Sequence, residues 1–460
     1  MHYISTRDKK KKSSFRDVFL NALSPDGGLY VPEELPVYSL KELDEISKFS
    51  YKDLAANIIC KFCSDEFSEK EVKEIVKNSY KNFREKEVVH LKKYDHNYLL
   101  ELFHGPTLAF KDIAMQVIGN MYQKILYKEN SIINIVVATS GDTGAAAINA
   151  LKGRNNINIF VLHPKGKTSD VQRKFMTTTE EKNVFNIAIK GNFDDCQSLV
   201  KSMFTDVEFK NQINMSGVNS INWARIISQI VYFFYAYFKI IQKKEGKINF
   251  SVPTGNFGDI YAGYVAKKMG LPINKLIIAT NQNDILKRAI NQGEYKIENV
   301  AETISPSMDI QVASNFERLI FNTNLNNEHD VIEKMKNLKK EKFFKIEKNQ
   351  LEKIKCDFIA ESLSEKETEK TIHEFYNKFK YILDPHTAVA FGVLNKISCE
   401  GINVVLATAH PSKFPKVIFK VLGETPKLPD RLMNIMNKKE NYDVVDNDPI
   451  KIKNYILSKI

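Results

Sequence analysis

Cysteine is scarce in this chain of 460 residues: five in all, at Cys60, Cys63, Cys196, Cys356 and Cys399. An odd, scattered set excludes a disulfide scaffold and points to reduced thiols. Cys60 and Cys63 form a lone C-x-x-C, but the other three supply no second pair, so core packing is expected and no metal site. The sequence also lacks an H-E-x-x-H metalloprotease pattern and a G-x-S-x-G nucleophile elbow. Gly166-Lys167-Thr168 resembles the tail of a nucleotide-binding P-loop, yet Val161 stands where that motif needs glycine, so this ATPase reading fails. Long apolar runs are missing too. Ile226 to Phe238, between Arg225 and Lys239, suits a buried helix and is too short for a bilayer. No apolar signal core follows Met1, so a cytoplasmic protein without membrane association is expected.

Positive charge is in excess, with a net +11, but the lysines are dispersed and the arginines do not cluster. With no nucleic-acid module in view, an anionic small substrate is the better partner. An apolar fraction of 43% with 27% charged residues describes an ordinary globular protein, and the length implies two or three domains. Residues 1–90 read as a mostly helical unit. From Tyr98 onward, short β-branched runs alternate with helical patterns: 132–138, 157–162, 184–189, 248–252, 276–280 and 404–408. Such runs imply parallel strands covered by helices on both faces, an α/β layout. The Lys- and Glu-rich stretch 323–381 reads as a helical, solvated surface insertion.

Ligands of such sheets bind beyond the carboxyl ends of strands. Two junctions stand out there. Ser140-Gly141-Asp142-Thr143-Gly144 follows the 132–138 run and could converge N–H groups and hydroxyls on a carboxylate or phosphate. Gly255-Asn256-Phe257-Gly258-Asp259 follows the 248–252 run and could wrap a phosphate with backbone N–H groups. Asn219, Ser220 and Arg225 make a donor set suited to an anion. Thr408 and Lys413 flank the end of the last strand, and Asp384-Pro385-His386 reads as a helix start. Taken singly, each segment also fits a plain capped turn. The stretch His104-Gly105-Pro106-Thr107-Leu108-Ala109-Phe110-Lys111-Asp112 is stranger. Its Gly-Pro turn leads into helix-like spacing from Leu108 to Tyr127, placing Lys111 about one turn into a helix. A helix N-terminus disfavours a cation, unless the amine is used as a nucleophile and carries no permanent charge.

In combination and order these segments resemble the threonine synthases, a branch of the fold-type II pyridoxal-phosphate (PLP) enzymes. The resemblance runs from Tyr3-Ile4-Ser5-Thr6-Arg7 through the Lys111 stretch, S-G-D-T-G, N-S-I-N-W-A-R at 219–225, G-N-F-G-D and D-P-H to T-A-H-P at 408–411. It implies a tryptophan synthase β-like fold: parallel-rich sheets in two intercalated domains spanning 91–460, plus the N-terminal helical unit at 1–90. The smaller domain would cover about 115–225, the larger about 91–114 and 226–460, the latter carrying the 323–381 insertion. It also implies that Lys111 binds PLP covalently and serves as the base. Gly255, Asn256, Phe257, Gly258 and Asp259 would surround the cofactor phosphate, although a carboxylate at Asp259 would repel a dianion. Thr408 would bond the pyridine nitrogen, and Asp142 would lie near the ring hydroxyl, where related PLP lyases usually carry Asn. Ser140, Gly141, Thr143 and Gly144 would grip the substrate carboxylate, and Asn219, Ser220, Arg225 and Lys413 its phosphate. The implied reaction takes O-phospho-L-homoserine and water to L-threonine and phosphate, in a monomer or homodimer. The same sites would serve a PLP-dependent phospho-lyase that releases an oxo acid, or a non-catalytic PLP-binding homologue.

Overall fold

Strands form where apolar residues are buried on both faces. The run Ile-Asn-Ile-Val-Val-Ala at 133–138 is buried along nearly its whole length, as is Ile-Asn-Phe-Ser-Val-Pro at 248–253. A run of that kind has no polar face to turn to water, and it pairs in parallel under helices. A computed structural model describes residues 1–241 and 246–460. Its strands are β1 (Tyr3–Ser5), β2 (Tyr30–Pro32), β3 (His90–Tyr94), β4 (Asn97–Glu101), β5 (Ile133–Ala138), β6 (Ile157–Pro164), β7 (Val184–Lys190) and β8 (Met215–Ser216). They continue with β9 (Ile248–Pro253), β10 (Ile273–Thr280), β11 (Glu294–Lys296), β12 (Phe343–Lys345), β13 (Phe358–Ser362), β14 (Ile402–Ala407) and β15 (Asp443–Asp446).

Two sheets organise the molecule. One has the order β13-β10-β9-β14-β4-β3, the other β15-β7-β6-β5-β8. All pairings are parallel except the β3–β4 hairpin, in which His90 faces Glu101. The α/β layout expected from the sequence is therefore present, with two differences. The smaller sheet does not close near residue 225: β15 pairs with β7, Val444 opposite Ala188, and the helix Pro449–Leu457 follows it. Asp-Val-Val-Asp is too short and polar to announce a strand, and only a parallel neighbour far off in sequence makes it one. The 323–381 stretch is also more than a solvated insertion. Its segment β13 pairs with β10 as the edge of the six-stranded sheet, with Phe358 and Ala360 buried.

The N-terminal unit holds the helices Phe15–Asn21, Leu40–Ser47, Tyr51–Cys63 and Glu69–Ser79, plus the β1–β2 pair. Ser39 with Glu42 and Ser68 with Glu71 form reciprocal caps that fix where two of these helices begin. The helix Trp223–Ile241 is largely apolar, and 89% of its most hydrophobic stretch is buried within the protein. An apolar helix of that kind belongs in a core. It packs against the helices Tyr51–Cys63, Lys111–Glu129 and Gly258–Lys268, joining the N-terminal unit to both sheets.

Candidate active site

Lys111 is the first residue of the helix Lys111–Glu129, which begins about one turn later than the spacing suggests. The turn before it is strapped to the end of β14. The Phe110 N–H donates to the Thr408 carbonyl at 2.8 Å, the His410 N–H to the Leu108 carbonyl at 3.1 Å, and Ala109 bridges Ala409. Leu108 adopts a left-handed φ of 62° to make the turn. Asp112 closes the loop from inside, accepting from the Thr107 N–H at 2.8 Å and the Thr107 hydroxyl at 2.6 Å. A Cβ on Gly105 would lie 2.4 Å from the Cβ of Asp112, so that position must be glycine. Burial raises the Asp112 carboxyl to about 6 against these bonds. The Lys111 side chain is 12% exposed, and its Nζ lies 3.6 Å from an Asp142 carboxylate oxygen. Burial lowers its pKa, Asp142 opposes that, and Arg225 and Lys413 add to it.

Asp142 begins the helix Asp142–Leu151 at the end of β5, in a loop held by Thr139. The Thr139 hydroxyl accepts from the Gly141 and Gly144 N–H groups, both at 2.9 Å. Gly141 has φ 140°, and a Cβ there would meet Gln172 at 2.8 Å. Gln172 donates to Asp142 at 2.8 Å, while Lys413, fully buried, sits 2.6 Å from the same carboxylate oxygen. Burial alone would raise this carboxyl; Lys413, Lys111 and Gln172 hold it far below the usual range. Ser140 and Thr143 are half-buried, and their hydroxyls make no hydrogen bond among the described residues.

The second loop follows β9. Phe257, at φ 64°, precedes the helix Gly258–Lys268 and supplies no side-chain cap. The first-turn N–H groups are thus left without a protein partner from the cap. Asn315 supports the loop from behind. Its N–H and its side-chain amide each donate to the Asn256 carbonyl at 3.1 Å, and the amide also reaches the Ser220 carbonyl at 3.2 Å. A Cβ on Gly255 would lie 2.7 Å from the Ser307 carbonyl, and the Ser307 N–H donates to the His386 Nε2 at 3.2 Å. Asp384 holds the other nitrogen of that ring at 3.0 Å, so D-P-H braces the loop from below. Arg318, fully buried over the Trp223 ring, bonds the Tyr30 and Ile221 carbonyls and the Asn315 side chain. Next to it Glu317 takes Thr6 at 2.6 Å and Arg7 at 2.7 Å, which gives the N-terminal Thr6-Arg7 pair a strapping role.

Arg225 is 4% exposed, and its Nε has no hydrogen-bond partner. Burial lowers its pKa to about 10, with Tyr232 and Asp259 opposing. Asp259 has one oxygen bonded by the Tyr232 hydroxyl and the other unpartnered. Burial raises it to about 7 against that bond and the charges of Lys111 and Arg225. An Arg N–H and a carboxylate oxygen left bare in the interior are costly, so both call for a partner, whether water or a ligand.

The structure thus brings Lys111, Asp142, Lys413, Arg225 and Asp259 into one electrostatic cluster, with Thr408 buried at its edge. Lys413 has a different place from the one the resemblance suggests: its amine is spent on Asp142 and, at 3.0 Å, on the Thr107 carbonyl. Gln172, Asn315, Arg318 and Tyr232 escape sequence reasoning. Only Gln172 leaves a trace there, in the capping pattern Ser169-x-x-Gln172.

Comparisons with known proteins cover the whole chain. The model for the threonine synthase N terminus matches residues 2–80, that for pyridoxal-phosphate dependent enzymes 88–344, and that for the threonine synthase C-terminal region 387–456. The threonine synthase of Pseudomonas aeruginosa is 41% identical, over 99% of this chain and 98% of that one. The Saccharomyces cerevisiae enzyme is 39% identical, over 100% and 98%. A PLP-bound threonine synthase from Brucella melitensis superposes with a TM-score of 0.95 at 44% identity, over 100% of this chain and 99% of that one. The yeast crystal structure gives 0.94 at 38% identity, over 100% and 98%. The chain belongs to the threonine synthase family of pyridoxal-phosphate dependent enzymes.

Proposed function

We propose that the chain converts O-phospho-L-homoserine and water to L-threonine and phosphate, with Lys111 as the covalent anchor of PLP and the proton-transferring base. The observation that carries this reading is the Lys111 amine, buried and lowered in pKa, within the same charge cluster as an arginine whose Nε is unpartnered. The residues present fit the cofactor. An amine that loses its proton readily can bind an aldehyde, and the uncapped N-terminus at Gly258, with its N–H groups, suits a phosphate. Bound PLP supplies the electron sink for the charge left when protons depart from Cα and Cβ.

The rest of the work falls to the chain. Gly255, Asn256, Phe257 and Gly258 would hold the cofactor phosphate through backbone groups, with Asp259 contributing its N–H. Thr408 would bond the ring nitrogen, and a neutral hydroxyl there does not force that nitrogen to keep a proton. Ser140 and Thr143 would bind the substrate carboxylate through their free hydroxyls and the N-terminus of the Asp142–Leu151 helix, in a loop that Gly141 and Gly144 shape by giving their N–H groups to Thr139. Arg225, with Asn219 and Ser220, would hold the leaving phosphate and favour its departure from Cγ. Lys413 acts here through Asp142: it neutralises that carboxylate, so Lys111 gains only part of the counter-charge. Lys111 then takes and returns protons at short range.

Incubating purified protein with O-phosphohomoserine and PLP, and measuring phosphate and threonine together, tests the reading. Equal yields of the two are expected. Phosphate accompanied by an oxo acid in place of threonine would make the protein a phospho-lyase, and no phosphate at all would make it non-catalytic.

A further inference from the structure

Outside this site, Glu85, His90 and His104 bring their ligand atoms together, and Glu101 lies against both histidines. The β3–β4 hairpin sets His90 directly opposite Glu101, and the chain continues from Glu101 to His104. The Arg84 N–H donates to the His104 carbonyl at 2.9 Å, which carries Glu85 to the same place. His90 Nδ1 lies 3.8 Å from a Glu101 carboxylate oxygen and 3.9 Å from a Glu85 carboxylate oxygen. His104 Nε2 lies 3.0 Å from that same oxygen of Glu101. The ligand atoms of Glu85, His90 and His104 all fall within 4.8 Å of one another. Separations of 3.8 and 3.9 Å are too long for hydrogen bonds. They are close to the roughly 3.4 Å edge of a tetrahedron whose arms are about 2.0–2.1 Å, the reach of zinc to imidazole and carboxylate.

Other contacts leave this point free. Lys92 at 2.9 Å and Tyr381 at 2.6 Å both occupy the second oxygen of Glu101 and hold that carboxylate in place. The Glu85 carboxylate and the His90 ring make no hydrogen bond among the described residues, although they face the same spot. Both line an open cleft of about 520 Å³, so this side of the cluster is reached from solvent.

We propose that Glu85, His90, Glu101 and His104 form a binding site for a divalent cation of the zinc class. Occupancy would displace the proton shared between His104 and Glu101, since both must bind the metal in deprotonated form. It would also tie the Glu85 turn and the hairpin to His104, the residue at the head of the turn that carries Lys111.

The test uses untagged, PLP-loaded protein and Co²⁺, whose visible bands report the ligand set, followed by competition with Zn²⁺. One Co²⁺ per chain is expected, with the bands of a tetrahedral nitrogen–oxygen site, displaced by Zn²⁺. His90→Ala and Glu85→Ala change half-exposed side chains and keep the cofactor absorbance as a check on folding. Each should weaken binding about tenfold or more. No stoichiometric uptake would overturn the proposal. So would uptake that is the same in His90→Ala, or a thiolate charge-transfer band that assigns the ion to the cysteines.

Discussion

Asp142 and Asp259 occupy matching positions in the two halves of the molecule, each in the first turn of the helix that follows a parallel strand. Both are buried and both lie near Lys111, yet burial wins in one and loses in the other. Lys413, in direct contact, keeps Asp142 ionised; Asp259 has a neutral tyrosine as its bonded partner and rises to about 7. The lesson is that position at a strand end does not set the charge of such a group. The partner brought in from elsewhere in the chain does. The β5 side is thus a fixed ion pair that shapes a loop, while the β9 side keeps an adjustable acid among cations, where an added phosphate would shift the balance.

The largest expected effect lies between the two halves. Lys111→Ala should keep the fold by circular dichroism, lose the visible absorbance of lysine-bound cofactor and reduce threonine formation by about a thousandfold or more. A yellow, active variant would remove Lys111 from the chemistry and with it the reason for comparing the two acids. Next comes Arg225→Ala, which should raise KM for O-phosphohomoserine by about a hundredfold while the cofactor stays bound. Cofactor loss with an unaltered KM would move Arg225 to the cofactor phosphate.

The six β-branched runs are legible in the sequence to within a few residues, because burial on both faces leaves an unbroken apolar signature. The loops after β5 and β9 are legible for a related reason: glycines that a Cβ would spoil, such as Gly141 and Gly255, stand out beside polar neighbours. What stays hidden depends on distant partners. Lys413 reads as a substrate ligand until Asp142 is found against it, and Arg318 gives no signal until Tyr30, Ile221 and Trp223 are seen to enclose it. β15 and β13 have weak patterns of their own and become strands only by lying along β7 and β10.

A smaller effect separates the two acids by stability. Asp142→Asn would leave the Lys413 ammonium fully buried without its counter-ion, at a cost of about 3–5 kcal/mol in urea unfolding. Lys413→Met in the same background should recover much of that. Because the Asp142 carboxyl is held low, its contribution is present above the ordinary carboxyl range near pH 4 and is lost as pH falls below it. If the single and double variants were equally unstable, the pair would not be the fixed element of the β5 half.

The smallest effect has the opposite sign. Asp259 folds more favourably protonated than ionised, so its contribution is complete below about pH 4, declines as pH rises and is gone above about 7. Cofactor-free protein should therefore lose stability between pH 5 and pH 8 on this account, by about 2–3 kcal/mol. Asp259→Asn keeps a neutral acceptor for the Tyr232 hydroxyl, and its stability should stay nearly flat over that interval. Inorganic phosphate should stabilise the wild-type protein more at pH 6, where Asp259 is mostly protonated, than its charge alone would give, since dianionic phosphate is scarcer there. Parallel pH profiles for the two proteins, with and without phosphate, would mean that Asp259 is ionised throughout. The two halves would then differ in their partners but not in charge.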